Sequence, residues 1–304
     1  MAENNLEENI EIKENTAPVT DGKKKHMGYF FIAFIPFAIM MALQTAAMIP
    51  GMILTVAELS KSGQNYDVTF LMKTFNEKYA IYCYMAYCVV AITIFLIWYL
   101  KSFVKKGPKI SYKKALGVKP VILTLAIMLC LYFTVNGAFI AANKLFPEVM
   151  KKYAELMELS SLGSNMWITV LYGILLGPVA EELCYRGLVF GYLEKSNVSI
   201  RIVIVVQAAL FGIMHANLVQ GLYAFALGVL FGYLRYKYKT LLLMIGAHML
   251  FNFSGTIVAV KMENSGLTDT MNMVLGAVAA ILVAVFIILI AKDKRSCYVQ
   301  EETI

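Results

Sequence analysis

Apolar residues in this chain come in long blocks separated by short polar stretches, with no sustained alternation of the kind that marks half-buried strands. Eight blocks approach the roughly 20 residues a helix needs to cross a bilayer. They run from about 28 to 49, 79 to 100, 120 to 142, 167 to 193, 202 to 216, 218 to 234, 240 to 260 and 272 to 291. The fifth and sixth are short. The pattern predicts an all-α, polytopic integral membrane protein of about eight transmembrane helices. Within the first block Pro36 predicts a kink, and Pro50-Gly51 predicts the helix end, leaving Met52 to Ala57 as an apolar interfacial piece.

Composition agrees with the block pattern. Hydrophobic residues make up 60% of the chain and charged residues 15%, and the mean hydropathy is +0.67, well outside ordinary globular values. A net charge of +7 would by itself suit a nucleic-acid partner, but its distribution argues otherwise. With the N-terminus in the cytoplasm, nineteen basic residues fall inside: Lys13, Lys23 to Lys25, seven lysines between Lys101 and Lys119, Lys195, Arg201, Arg235, Lys237, Lys239, Lys292, Lys294 and Arg295. Seven fall outside, and Arg186 lies within the fourth block. This is the positive-inside bias, so both termini are expected in the cytoplasm and no nucleic acid is expected as a partner; the bias fixes only the side, and the cell membrane is a separate expectation.

Residues 1–27 read as a disordered cytoplasmic tail with no cleavable leader, and 292–304 as a second cytoplasmic tail. Four of five cysteines lie in predicted spans, which indicates no disulfide framework. The glycine pairs Gly173/Gly177, Gly187/Gly191 and Gly228/Gly232 have the spacing that lets helices pack closely. No internal repeat is evident.

Chemistry concentrates in the fourth to seventh blocks. Glu181, Glu182 and Arg186 lie in the fourth, His215 ends the fifth, and His248 lies in the seventh, all at positions that lipid disfavours. Counted from Lys195, Arg201 and Lys237 as markers of the inner boundary, Glu181 and His215 lie roughly 21 Å deep and His248 roughly 16 Å. The three can share a level. Glu182 and Arg186, four residues apart, can form a buried neutral pair and support the site. Glu181 points about 100° away and is the expected reactive carboxylate. Pro178, three residues earlier, should bend the helix there and open room for water. Phe211 and His215, like His248 and Asn252, are four apart and share a helix face. Cys184 is near Glu181 in sequence, but an apolar setting disfavours its thiolate, so it is not expected to act as nucleophile.

The three segments Glu181-Glu182-Leu-Cys-Tyr-Arg186, Phe211-Gly-Ile-Met-His215 and His248-Met-Leu-Phe-Asn252 resemble, in order, the motifs of the CPBP intramembrane proteases, the Abi-type family that includes the CAAX prenyl endopeptidases. The resemblance covers about 166–256 as a catalytic core. It leaves the three helices of 28–143 without an assigned role and 257–291 as a final transmembrane region. It implies a peptidase in which Glu181 and His215 activate water while His248 and Asn252 stabilise the oxyanion, acting on a peptide or protein substrate, membrane-anchored substrates included. Whether zinc takes part stays open, with Glu181, His215 and His248 as its ligands if it does, since the family is often called metalloprotease while a metal-free mechanism is also proposed for it. Two other classes fit intramembrane charges: an ion-coupled transporter, and a non-catalytic bacteriocin-immunity or partner-binding protein on the same scaffold.

Overall fold

A computed structural model describes residues 26–63, 65–105, 107–160, 170–263, 265–293 and 297. The expected tail over 1–27, apart from its last two residues, most of the tail over 292–304, and the start of the fourth block at 167–169 lie outside the described residues. Among these residues the secondary structure is helical. In order come α1 (Met27–Ile32), α2 (Phe34–Ser62), α3 (Val68–Lys78), α4 (Ala80–Tyr99), α5 (Tyr112–Ala115), α6 (Val118–Leu145) and α7 (Pro147–Ser160). There follow α8 (Gly177–Glu182), α9 (Phe190–Lys195), α10 (Ile200–Met214), α11 (Leu218–Tyr238), α12 (Leu241–Phe253), α13 (Ala259–Glu263) and α14 (Asp269–Ala291).

Six helical stretches among the described residues are long and apolar enough to cross a membrane: Met27–Ser62, Ala80–Val104, Val118–Leu145, Leu218–Tyr238, Leu241–Val258 and Asp269–Ala291. Helix α10 is apolar but only 15 residues long, roughly 22 Å at 1.5 Å per residue and short of a full crossing. The fourth block is helical from Val170 to Lys195, yet broken in geometry: wide π-helical segments at Val170–Leu176 and Leu183–Val189 flank α8. Large apolar side chains such as Ile53, Val89, Ile122 and Ile281 point outward, as they should where lipid is the solvent.

Two sequence expectations meet different outcomes in α1 and α2. The chain breaks at Ala33 between them, as Pro36 requires, because its ring collides with the carbonyl four residues back, at Ile32. Pro50 and Gly51, expected to end the span, do not: α2 runs through them to Ser62. The cost of the missing proline N–H is offset by packing. A Cβ on Gly51 would come within 2.6 Å of Cys83 Sγ, so α2 lies directly against α4, and Thr55 donates its hydroxyl to the Gly51 carbonyl at 2.8 Å. Helices α3 and α7 are additions; their polar sequences conceal them from a search for apolar blocks, although the Asp67 side chain caps the Phe70 N–H and Pro147-Glu148 is a helix start.

Packing forms two cores. One gathers Leu183 to Leu193 with α2, α4 and α10 around Phe95, Phe190 and Phe211. The other joins α6, α11, α12 and α14 around Phe231, Tyr238 and Met244. Of the predicted close-packing glycines, Gly187, Gly191, Gly228 and Gly232 do meet neighbouring helices or rings, whereas Gly173 faces open space. Gly137 and Gly276 make a further close crossing of α6 with α14, where an added Cβ would meet backbone near 3 Å. The basic loops assigned to the inside share one end of the bundle: Lys195 reaches the Ser102 carbonyl, Lys239 pairs with Glu194, and Lys119 lies near Asp293. Lys144 pairs with Asp269, both residues of segments assigned outside.

Candidate active site

Glu182 and Arg186 are fully buried. An unpaired charge there would be costly, and Arg186 Nη1 donates to Glu182 Oε1 at 2.9 Å. The guanidinium also lies over the rings of Phe211 and Phe231, at 4.3 and 5.0 Å from their centroids. The same Glu182 oxygen accepts a second hydrogen bond at 2.9 Å, from Nδ1 of His248, whose side chain is 4% exposed. An ionised carboxylate only accepts, so His248 carries its proton on Nδ1 and turns Nε2 the other way. Nε2 lies 3.6 Å from Oε2 of Glu181, whose side chain is 21% exposed. The adjacent glutamates thus do different work: one is sealed in the core and orients an imidazole, while the other reaches open space.

His215 is held independently. It sits just beyond the last residue of α10 and donates Nδ1–H to the Phe211 carbonyl at 2.8 Å, one helical turn back. Ala216 then adopts a left-handed backbone (φ 54°), and Asn217 caps α11 by accepting the Gln220 N–H at 2.8 Å. Because α10 is short, this turn stops at cavity level and places the imidazole on a polar elbow inside the bundle. The Phe211 ring packs edge-on against both His215 and His248, with centroids 5.1 and 5.8 Å away. One phenylalanine therefore fixes two histidines and Arg186, a physical reason for phenylalanine at that position that the sequence alone did not disclose.

Asn252 Nδ2 donates to the Gly173 carbonyl at 2.8 Å. In π-helical geometry that carbonyl would look five residues on, to Pro178, which has no N–H. The Asn252 amide supplies the missing donor and ties α12 to the helix that carries Glu181. The bend expected at Pro178 therefore takes the form of a widened turn bridged by a side chain from another helix.

Glu181, His215, His248 and Asn252 all line one cavity of about 480 Å³, together with Tyr84, Tyr172, Gln220 and Tyr223. Cys184 is fully buried and not among the lining residues. The donor types for a metal are present, two imidazoles and a carboxylate, but among the described residues no three His, Cys, Asp or Glu groups converge closely enough to hold an ion. The arrangement as it stands does not fit a metal centre, and no step below runs through one.

Residues 163–254 match the family described as Type II CAAX prenyl endopeptidase Rce1-like, and over that segment the resemblance to CPBP proteases read from the three motifs holds. A Bacillus subtilis (strain 168) protein named "Putative membrane peptidase YdiL" is 33% identical over 86 residues, 28% of this chain and 34% of that relative. The chain thus matches about a third of the relative's length. No solved structure matches. The apolar helices and the family together make this a multi-pass integral membrane protein.

Proposed function

We propose that this protein is an intramembrane endopeptidase that hydrolyses a peptide bond with water activated by Glu181. The observation that carries the reading is the convergence of Glu181, His215, His248 and Asn252, from three separate helical segments, on one cavity. The match to an endopeptidase family and the peptidase name of the relative support it.

In the proposed reaction a water in the cavity is held by Glu181 and by Nε2 of neutral His215. Glu181 takes one proton as the water oxygen bonds to the peptide carbonyl carbon. The negative oxygen of the tetrahedral intermediate receives hydrogen bonds from His248, protonated on Nε2 as well, and from the second Nδ2–H of Asn252. The C–N bond then breaks, and the proton held by Glu181 passes to the leaving nitrogen. The first substrates to test are peptides of membrane-anchored proteins, prenylated C-terminal Cys-aliphatic-aliphatic-X sequences among them, a class suggested by the family's description.

The test is cleavage by the full chain purified in detergent, using prenylated and unprenylated peptide panels read by mass spectrometry. Cleavage should fall at least ~100-fold in Glu181→Gln and in His215→Ala. Undiminished cleavage by Glu181→Gln would remove the assignment.

A further inference from the structure

Exposure changes in one direction along all three segments that carry the candidate site. On the fourth block, which runs inward to Lys195, the Glu181 side chain is 21% exposed and residues 182–190 are all buried. On α10, which runs outward, Phe211 is buried and His215, one turn further on, is partly exposed. On α12, also outward, His248 is buried and Asn252, again one turn on, is partly exposed. The cavity therefore has a packed floor on its inner side, with Cys184, Tyr185, Arg186, Leu188 and Phe190 fully buried beneath Glu181.

Other lining residues lie further outward. Glu181 is fourteen residues from Lys195, roughly 21 Å of helix. Phe103, whose ring centroid is 4.3 Å from Lys195 Nζ, marks the same inner level on the helix that continues α4. Tyr84 is nineteen residues from Phe103, roughly 28 Å. Gln220 is eighteen residues from the inner end of α11 at Tyr238, roughly 27 Å. Leu156 and Met157 line the cavity from α7, a helix between α6 and the fourth block, where the charge bias places the chain outside.

Burial and charge thus agree on a direction. We propose that the cavity opens on the non-cytoplasmic side of the membrane and takes its substrate there, as an extracytoplasmic polypeptide segment. Water and peptide reach Glu181 through the same mouth beside α7. A cytoplasmic tail would meet the packed floor instead. The substrate class rests on the peptidase reading, whereas the direction of the mouth rests on burial and charge alone.

The test is labelling of single added cysteines in the full chain by a sulfonated, membrane-impermeant maleimide, in intact spheroplasts and after lysis, with the parent chain as background. Leu156→Cys at the mouth should react in intact spheroplasts. So should Gln220→Cys inside the cavity, or Tyr223→Cys where the first lowers the thermal midpoint. Both should react as completely as Lys73→Cys on α3 and at least ~tenfold more than Lys109→Cys in an inner loop, which should need lysis. Cavity cysteines that react only after lysis, or not even then, overturn the proposal. In a second arm, a peptide cleaved in detergent is supplied outside the spheroplasts. The parent should cut it and Glu181→Gln should not; cutting only after lysis overturns the substrate class. Absence of cleavage in detergent would instead remove the peptidase assignment and leave the labelling result to decide the direction of the mouth.

Discussion

His248 gives its Nδ1 hydrogen to Glu182 Oε1 at 2.9 Å and thereby presents Nε2 to Glu181, 3.6 Å away. The buried member of the glutamate pair sets the direction in which the histidine faces the exposed member. The geometry of this candidate site therefore depends on a residue that does not line the cavity.

Replacing Glu182 with Gln removes the counter-charge of Arg186 and the carboxylate partner of His248 together. Leaving one buried charge unpaired destabilises by about 3–5 kcal/mol. The expected outcome is a large fall in thermal midpoint in detergent with loss of activity. A midpoint within a degree of the parent would show that the buried pair contributes little.

Phe211→Leu should separate packing from orientation. Leucine fills much of the apolar space, so the cost should stay below that of Phe211→Ala, about 3–5 kcal/mol. The edge contacts to both imidazoles disappear, however, and cleavage should fall more steeply than stability. Parallel measurement of kcat and thermal midpoint for the two variants checks this.

Asn252→Ala removes the side-chain donor that, among the described residues, meets the Gly173 carbonyl, at a cost of about 1 kcal/mol for the bond and more if the carbonyl stays dry. Asn252→Asp replaces the donating amide by a carboxylate facing that carbonyl and should be worse. Were the aspartate variant the more stable of the two, the bridge across the Pro178 turn would not hold.

A Cβ on Gly228 would lie 2.9 Å from Ala208 Cα, backbone that cannot give way, whereas one on Gly246 meets nothing within 4 Å. Gly228→Ala should therefore force α10 from α11, costing about 1–3 kcal/mol. Gly246→Ala should be neutral or slightly stabilising, since alanine favours a helix. Thermal midpoints of the two variants decide.

Cys184→Ala should retain cleavage, because the thiol is enclosed and does not line the cavity. Activity reduced to the level of Glu181→Gln would instead make the thiol a participant in the reaction.

Much of the site was legible because intramembrane charge is rare: Glu181, Glu182, Arg186, His215 and His248 identify themselves by lying in apolar blocks. That Glu182 faces Arg186 while Glu181 points elsewhere followed from helical spacing alone, since residues four apart share a face. What the linear pattern missed was polar or irregular. Helices α3 and α7 carry too few apolar residues, α2 continues through Pro50 on the strength of its contact with Cys83, and the π-helical turns around α8 leave no trace in hydropathy.

The chain's own pattern determined the solvent, the helical class, the sidedness expected from basic residues and the titratable groups that need a purpose, because each rests on local composition and on the 1.5 Å rise of a helix. Only the tertiary structure decided that His248 docks on Glu182, that Phe211 braces two histidines and an arginine, and that Asn252 completes a hydrogen bond left open by Pro178. Those links join residues up to 79 positions apart. They exist because buried donors and acceptors must find partners wherever packing brings them, and packing is a property of the assembled helices.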